Sequence, residues 1–143
     1  MPDWVTQGCQ EYLKRFPKQW QFQLKELSQA RGDTAELRMG SESKLLLDAI
    51  TDKTHVVALD NRGSSWTTEQ LAEQLQNWME MGKPVSFLIG GPDGLHDDVR
   101  ARANQTVSLS PLTFPHPMVR VIWLEQLYRA HSLLGNHPYH RAG

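Results

Sequence analysis

Three side chains close to the carboxyl terminus have the chemistry to handle one unstacked nucleotide. Tyr139 offers a ring for stacking, His140 an imidazole that titrates near neutral pH, and Arg141 a guanidinium for a developing charge or a phosphate. The alternative, from the residues alone, is a solvated chain end without a role. His137 and His140 also raise the question of a metal. The sequence lacks the cysteine and histidine spacing of a structural metal site, so we expect no metal.

A glycine-rich turn and a proline-broken loop could together form a pocket for a small ligand. The apolar run Val85–Ile89 has the composition of a buried strand and stops at the turn Gly-Gly-Pro-Asp-Gly of residues 90–94. Two other predicted strands, 55–59 and 106–109, precede a polar turn and a proline-broken loop. In a parallel sheet the carboxyl ends of all three strands lie at one edge, where ligands bind. Charge-poor loops suit adenine better than a polyphosphate, since no lysine follows the glycines as in a P-loop. The alternative is an ordinary tight turn.

Alternating helical and strand patterns predict the elements that position these residues. The fold class they indicate is α/β, with a parallel sheet covered by helices on both faces. A further half-buried strand is predicted at 20–24. Helices are predicted at residues 3–16, with Asp3 as N-cap, and at 34–50, 67–82, 95–104 and 117–134. Thr67 and Gln70 have the spacing of a capping box. The tryptophans outside the last helix are predicted to be packing residues: Trp4, Trp20, Trp66 and Trp78.

Length and composition restrict the class of protein. A chain of 143 residues, 39% hydrophobic and 22% charged, suits one folded domain spanning residues 1–143. The formal net charge of -1 gives no general sign of nucleic-acid binding, so an RNA-binding surface must be a local patch. Cys9 is the only cysteine, which excludes an internal disulfide and fits a reducing compartment. No apolar run reaches membrane-spanning length, and we expect a cytoplasmic protein without membrane contact.

The last predicted helix carries more apolar residues than one face needs. A helix that is apolar over much of its circumference must be covered on more than one side, so we expect it to pack on the sheet and on a second copy of the chain. Trp123 and Leu127 are interpreted as core or dimer-interface residues. Glu125 and Arg129 have the spacing of an intrahelical ion pair. His116 is interpreted as a helix cap, with a place at the pocket edge as the alternative.

Three runs, in order along the chain, closely resemble the RlmH family, small bacterial SPOUT-class enzymes that methylate N3 of a pseudouridine in large-subunit ribosomal RNA. They are Leu-Ile-Gly-Gly-Pro-Asp-Gly at 88–94, Ser-Leu-Ser-Pro-Leu-Thr-Phe-Pro-His-Pro at 108–117 and Asn-His-Pro-Tyr-His-Arg at 136–141. The resemblance extends to the first residue, with Met-Pro-Asp-Trp at 1–4. Family members usually have a short apolar strand and a glycine turn before this element, so we expect that strand to be absent or cut off. Residues 31–53 are less basic than is usual in the family.

The resemblance implies a fold, a cofactor and a set of site residues. The fold would contain an α/β trefoil knot, the methyl donor would be S-adenosylmethionine, and the enzyme would be a homodimer acting on ribosomal RNA. The catalytic residues Tyr139, His140 and Arg141 would reach the nucleotide from the partner subunit. The implied cofactor-binding residues are Leu59, Asp60, Gly90, Gly91, Gly94, Leu109, Ser110, Pro111, Leu112, Thr113, Phe114 and Pro115. Two alternatives stay open: a noncatalytic RNA- or nucleotide-binding module that keeps the pocket, and an ordinary doubly wound domain without a knot.

Overall fold

The computed structural model describes residues 2–17, 20, 32–90 and 94–135. In this part of the chain five helices and three strands follow one another. They are α1 (Asp3–Leu13), α2 (Ala35–Asp48), β1 (His55–Ser65), α3 (Thr68–Met81), β2 (Val85–Ile89), α4 (Asp97–Arg102), β3 (Gln105–Ser108) and α5 (His116–Leu134). Apart from Trp20, the strand predicted at 20–24 lies outside the described residues. The elements divide between two compact units, one holding the strands with α2 and α4, the other holding α1, α3 and α5.

The first unit is built on a parallel sheet with the strand order β2-β1-β3. The predicted parallel α/β arrangement is therefore confirmed, whereas coverage of both faces stays a prediction. The core of this unit joins β1 and β2 to the helices through buried aliphatic side chains: Leu46, Val56, Ala58, Leu88, Leu95 and Val99. Asn104 fastens the start of β3 to β1, since its Oδ1 accepts the Val56 N–H at 2.8 Å and its own N–H donates to the Val56 carbonyl at 2.8 Å.

Strand β1 is longer than the sequence pattern indicated, because it continues beyond a break. Leu59 pairs with Val107 of β3, and Ser64 pairs with Val107 again, so residues 60–63 leave the ladder and return at the same register. The prediction that the strand ends at Leu59 was wrong, although its pairing does break there. Gly63 makes the return possible, since a Cβ at this position would lie 2.6 Å from the carbonyl carbon of Thr106.

The second unit contains the three remaining helices, which bury one face each. Trp78 of α3, Trp123 and Leu127 of α5 are almost fully buried, as their predicted packing roles require. Trp4 was wrongly interpreted as a packing residue, since it is 56% exposed. It lies next to Val5, which is fully buried, and one residue along a helix turns the side chain about 100° away.

Local signals at the helix ends were mostly confirmed. Thr67 caps α3: its hydroxyl accepts the Gln70 N–H at 3.1 Å, and the Gln70 side chain accepts the Thr67 N–H at 2.8 Å. Gly82 ends this helix in the left-handed region, with a φ of 68°. Asp3 was wrongly taken as the cap of α1, because Pro2 holds that position and its carbonyl accepts the first helical N–H groups. Asp3 lies in the first turn, where a carboxylate suits the helix dipole. None of the helices described is long and apolar enough to cross a bilayer.

Candidate active site

Register brings the end of β2, the break in β1 and the last residues of β3 to one edge of the sheet, where the sequence predicted the loops to meet. Leu59 pairs with Ile89 on one side and with Val107 on the other. Neighbouring strands lie about 4.8 Å apart, so these three residues form a row about 10 Å wide. The segments after them leave from this row: the break 60–63, the glycine turn that starts at Gly90, and the loop that starts at Leu109.

The turn after β2 is closed tightly by its two described glycines. A Cβ on Gly90 would lie 2.9 Å from the carbonyl carbon of Gly94 and 3.1 Å from a methyl group of Leu95, so the site has no room for a side chain. Gly94 has a φ of 85°, which strains any residue with a Cβ. Both glycines are therefore required by the backbone path. Gly91, the remaining predicted pocket glycine, lies outside the described residues, and its role stays a prediction.

The loop after β3 is held by serine hydroxyl groups and exposes an apolar side chain. The Ser108 hydroxyl donates to the carbonyl of Ser110 at 3.1 Å, and the Ser110 hydroxyl accepts the Leu112 N–H at 3.0 Å. Leu112 is 71% exposed, and Phe114 is half-buried. This loop leaves the same edge of the sheet as the glycine turn and exposes an apolar side chain, while its role as a cofactor pocket stays a prediction.

The break in β1 holds an ion pair between a buried carboxylate, Asp60, and a half-exposed guanidinium, Arg62. Both oxygens of Asp60 accept hydrogen bonds from the Arg62 guanidinium, from Nε at 2.9 Å and from Nη2 at 2.8 Å, and Oδ1 also accepts the Arg62 N–H at 2.9 Å. The Asp60 side chain is only 3% exposed. These bonds from Arg62 hold the pKa of the Asp60 carboxyl below its usual range, and the nearby charge of Arg100 acts in the same direction.

Arg62 is the functional candidate that the sequence reasoning missed. Residues 60–63 were interpreted only as a polar turn, and no role was assigned to the arginine. The Asp-x-Arg spacing at a strand end was the available signal, because a carboxylate two residues away can receive a bidentate guanidinium. Asp60 was predicted as a cofactor contact. Its carboxylate is occupied by Arg62, and a direct contact with a cofactor stays a prediction.

The structure describes only some of the other residues that the sequence analysis singled out. Tyr139, His140 and Arg141 lie outside the described residues. His116 is the first residue of α5. The ion pair predicted along that helix is confirmed, with Nε of Arg129 3.1 Å from Oε1 of Glu125. Among the described residues, no group of three or more histidine, cysteine, aspartate or glutamate side chains could hold a metal ion.

Comparison with known proteins identifies the family of this chain. A family model described as "Predicted SPOUT methyltransferase" matches residues 1–140. A protein of Hahella chejuensis (strain KCTC 2396) named "Ribosomal RNA large subunit methyltransferase H" is 50% identical over 145 residues, which cover 99% of this chain and 92% of that relative. Both matches include all three strand ends and the glycine turn between them. The chain therefore belongs to the SPOUT methyltransferase family.

Proposed function

We propose that this protein transfers the methyl group of S-adenosylmethionine to N3 of a pseudouridine in large-subunit ribosomal RNA. The observation that carries the proposal is the 50% identity, over 99% of this chain, to a relative named as a methyltransferase of that RNA. The motifs at 88–94, 108–117 and 136–141 supply the finer expectation of a pseudouridine, since they resemble the RlmH family. The charge-poor edge of the sheet supports a site for a nucleoside-containing cofactor.

The proposed cofactor site consists of the three strand-end segments. The backbone groups of the glycine turn and of residues 109–115 would bind the adenine edge, and the exposed side chain of Leu112 would cover its face. These groups are nearly neutral and therefore suit a flat adenine. A polyphosphate would need strong positive charge, so it suits this site less well. When bound, the cofactor supplies an electrophilic methyl group on a sulfonium. We keep Leu59, Asp60 and Gly91 in the proposed site.

The proposed chemistry needs one proton to leave and two atoms to be held in line. His140 would accept the N3 proton, a contribution of roughly 100- to 10,000-fold to the rate. Arg141 would stabilise the charge that develops on the imide, and Tyr139 would stack on the base. Holding the base against the methyl donor contributes several kcal/mol, about 7–11 in well-oriented intramolecular reactions. The tail residues therefore act on the base, while the loops act on the cofactor.

We further propose that one SPOUT domain, residues 1–143, forms a knotted homodimer in the cytoplasm, with each tail acting in the partner's site. The apolar character of α5 supports the dimer, since Met118 and Leu134 are each 40% exposed in the single chain. Light scattering at micromolar concentration should give twice the mass of 16.4 kDa. A monomer under these conditions would contradict the shared active site.

Transfer of a labelled methyl group separates this function from its main alternative. Ribosomes that lack the modification should gain label at one pseudouridine in the large-subunit RNA. A noncatalytic module would bind S-adenosylmethionine in calorimetry yet transfer no label.

A matched pair of glycine variants tests the pocket itself. Gly91→Arg should abolish cofactor binding, because the side chain would fill the proposed pocket. Gly40→Arg is the control: Gly40 lies within α2, and nothing lies within 4 Å of where its Cβ would be. Normal affinity in the Gly91 variant would show that the cofactor binds elsewhere.

A further inference from the structure

The ion pair in the break of β1 also reaches the turn that follows β2. Nη2 of Arg62 carries two hydrogens. One is donated to Asp60, and the same nitrogen lies 3.1 Å from the carbonyl oxygen of Leu95, 33 residues further along the chain. Leu95 is 1% exposed and closes the glycine turn. A single guanidinium therefore connects two of the three strand-end segments.

Leu95, which accepts the hydrogen bond from Arg62, also packs closely against the glycine turn. A methyl group of Leu95 would lie 3.1 Å from a Cβ on Gly90, so the Leu95 side chain touches the residue that opens the turn. The carbonyl carbon of Gly94, the residue directly before Leu95, lies 2.9 Å from the position that a Cβ on Gly90 would occupy. Because Gly90 packs against Leu95 and Gly94 precedes it, a displacement of the Leu95 backbone would change the position of both described ends of the turn.

We propose that Asp60 and Arg62 form a strut that fixes the glycine turn in the position required for cofactor binding, so that Arg62 is a positioning residue. The inference rests on the proposed function and assigns a role to side chains that do not themselves touch the reacting atoms. Asp60 orients the guanidinium through two parallel hydrogen bonds, and Arg62 then holds the Leu95 carbonyl. Only a planar fork can make both connections, since a lysine ammonium offers no bidentate geometry.

The test is calorimetric titration of the full-length protein with S-adenosylhomocysteine, the demethylated cofactor. Arg62→Met keeps the aliphatic stem and removes the fork, and Asp60→Asn removes the charge that orients it. Each should weaken binding about tenfold. The double variant should also be about tenfold weaker, because both changes break one connection and their effects do not add. Arg62→Lys should recover little of the lost affinity.

Arg102→Met is the matched control. Nη2 of Arg102 also donates to backbone carbonyls far along the chain, those of Thr51 at 3.2 Å and Thr54 at 3.1 Å. These carbonyls precede β1, at the opposite end of the sheet from the strand-end segments. The control variant should lose thermal stability to a similar extent as Arg62→Met but keep wild-type affinity. Hydrogen exchange at residues 94–99 should increase in Arg62→Met and be unchanged in Arg102→Met.

Five results would overturn the strut. If the wild-type protein binds S-adenosylhomocysteine and Arg62→Met binds it with the same affinity, the strut is refuted and the proposed function stands. Equal weakening in Arg102→Met would show only general destabilisation. Loss of affinity in Arg62→Met with normal affinity in Asp60→Asn would indicate a direct contact between the arginine and the cofactor, and additive losses would indicate two independent contacts. A wild-type protein without cofactor affinity would refute the proposed function and the strut together.

Discussion

Replacing Gly63 with alanine should destabilise the edge of the sheet where the proposed site lies. The Cβ would be placed 2.6 Å from the carbonyl carbon, 2.7 Å from the carbonyl oxygen and 2.8 Å from the Cγ2 of Thr106. Two of these three atoms belong to the backbone of β3, which cannot move aside as the end of a flexible side chain can. The strand pair must therefore separate locally, and the pairing of Ser64 with Val107 is the first contact to be lost.

The size of the effect follows from the cost of overpacking. Forcing one methyl group into a closely packed site costs about 1–3 kcal/mol. Alanine also reduces the freedom of the unfolded chain, which offsets about 0.4–1 kcal/mol of this cost. For a chain of 143 residues, 1 kcal/mol corresponds to roughly 3 °C in melting temperature. The net cost is then centred on about 1.3 kcal/mol, so we expect Gly63→Ala to melt about 4 °C below the wild type, and at most about 8 °C below, as measured by circular dichroism.

Gly40→Ala is the control with the opposite expected sign. Gly40 lies inside α2, and nothing lies within 4 Å of the position that its Cβ would occupy. Alanine at this position should stabilise the protein by about 0.5–1 kcal/mol, because glycine is a poor helix former. If Gly63→Ala melts at or above the wild-type temperature, the return of β1 to β3 is not as tight as this reasoning requires.

Three further outcomes are expected. Thr67→Ala removes one half of the capping box and should lower the free energy of unfolding by about 1 kcal/mol in urea titrations; no change would mean that Gln70 alone caps the helix. Because Arg62 holds the pKa of Asp60 below its usual range, the stability contributed by Asp60 is complete above the pKa of the unfolded chain and is lost as pH falls through the folded value. Asp60→Asn should therefore flatten the loss of stability on acidification below about pH 5, and an unchanged slope would contradict the assignment. Deletion of residues 139–143 should leave cofactor affinity nearly intact and remove methyl transfer to ribosomes; transfer at the normal rate would show that the catalytic groups lie elsewhere.

The sequence by itself determined the features that depend on near neighbours. Val85–Ile89 was predicted with its correct bounds, because an apolar β-forming run was followed by residues that break it. The capping box of Thr67 and Gln70 and the ion pair of Glu125 and Arg129 were also predicted, since each joins residues three or four positions apart on one helix. The three strand ends could be placed at one edge of a sheet because alternating strands and helices favour parallel pairing.

Only the tertiary structure decided the features that depend on partners far along the chain. Residues 60–63 have the composition of a turn, and nothing local shows that β1 resumes at Ser64, because that pairing is made with β3 more than 40 residues later. Arg62 is indeed half-exposed, but the sequence does not show that it bonds a buried carboxylate and the carbonyl of Leu95. Hydrogen bonds and register between distant segments are fixed by how the strands pack, so the pattern of neighbouring residues contains no record of them.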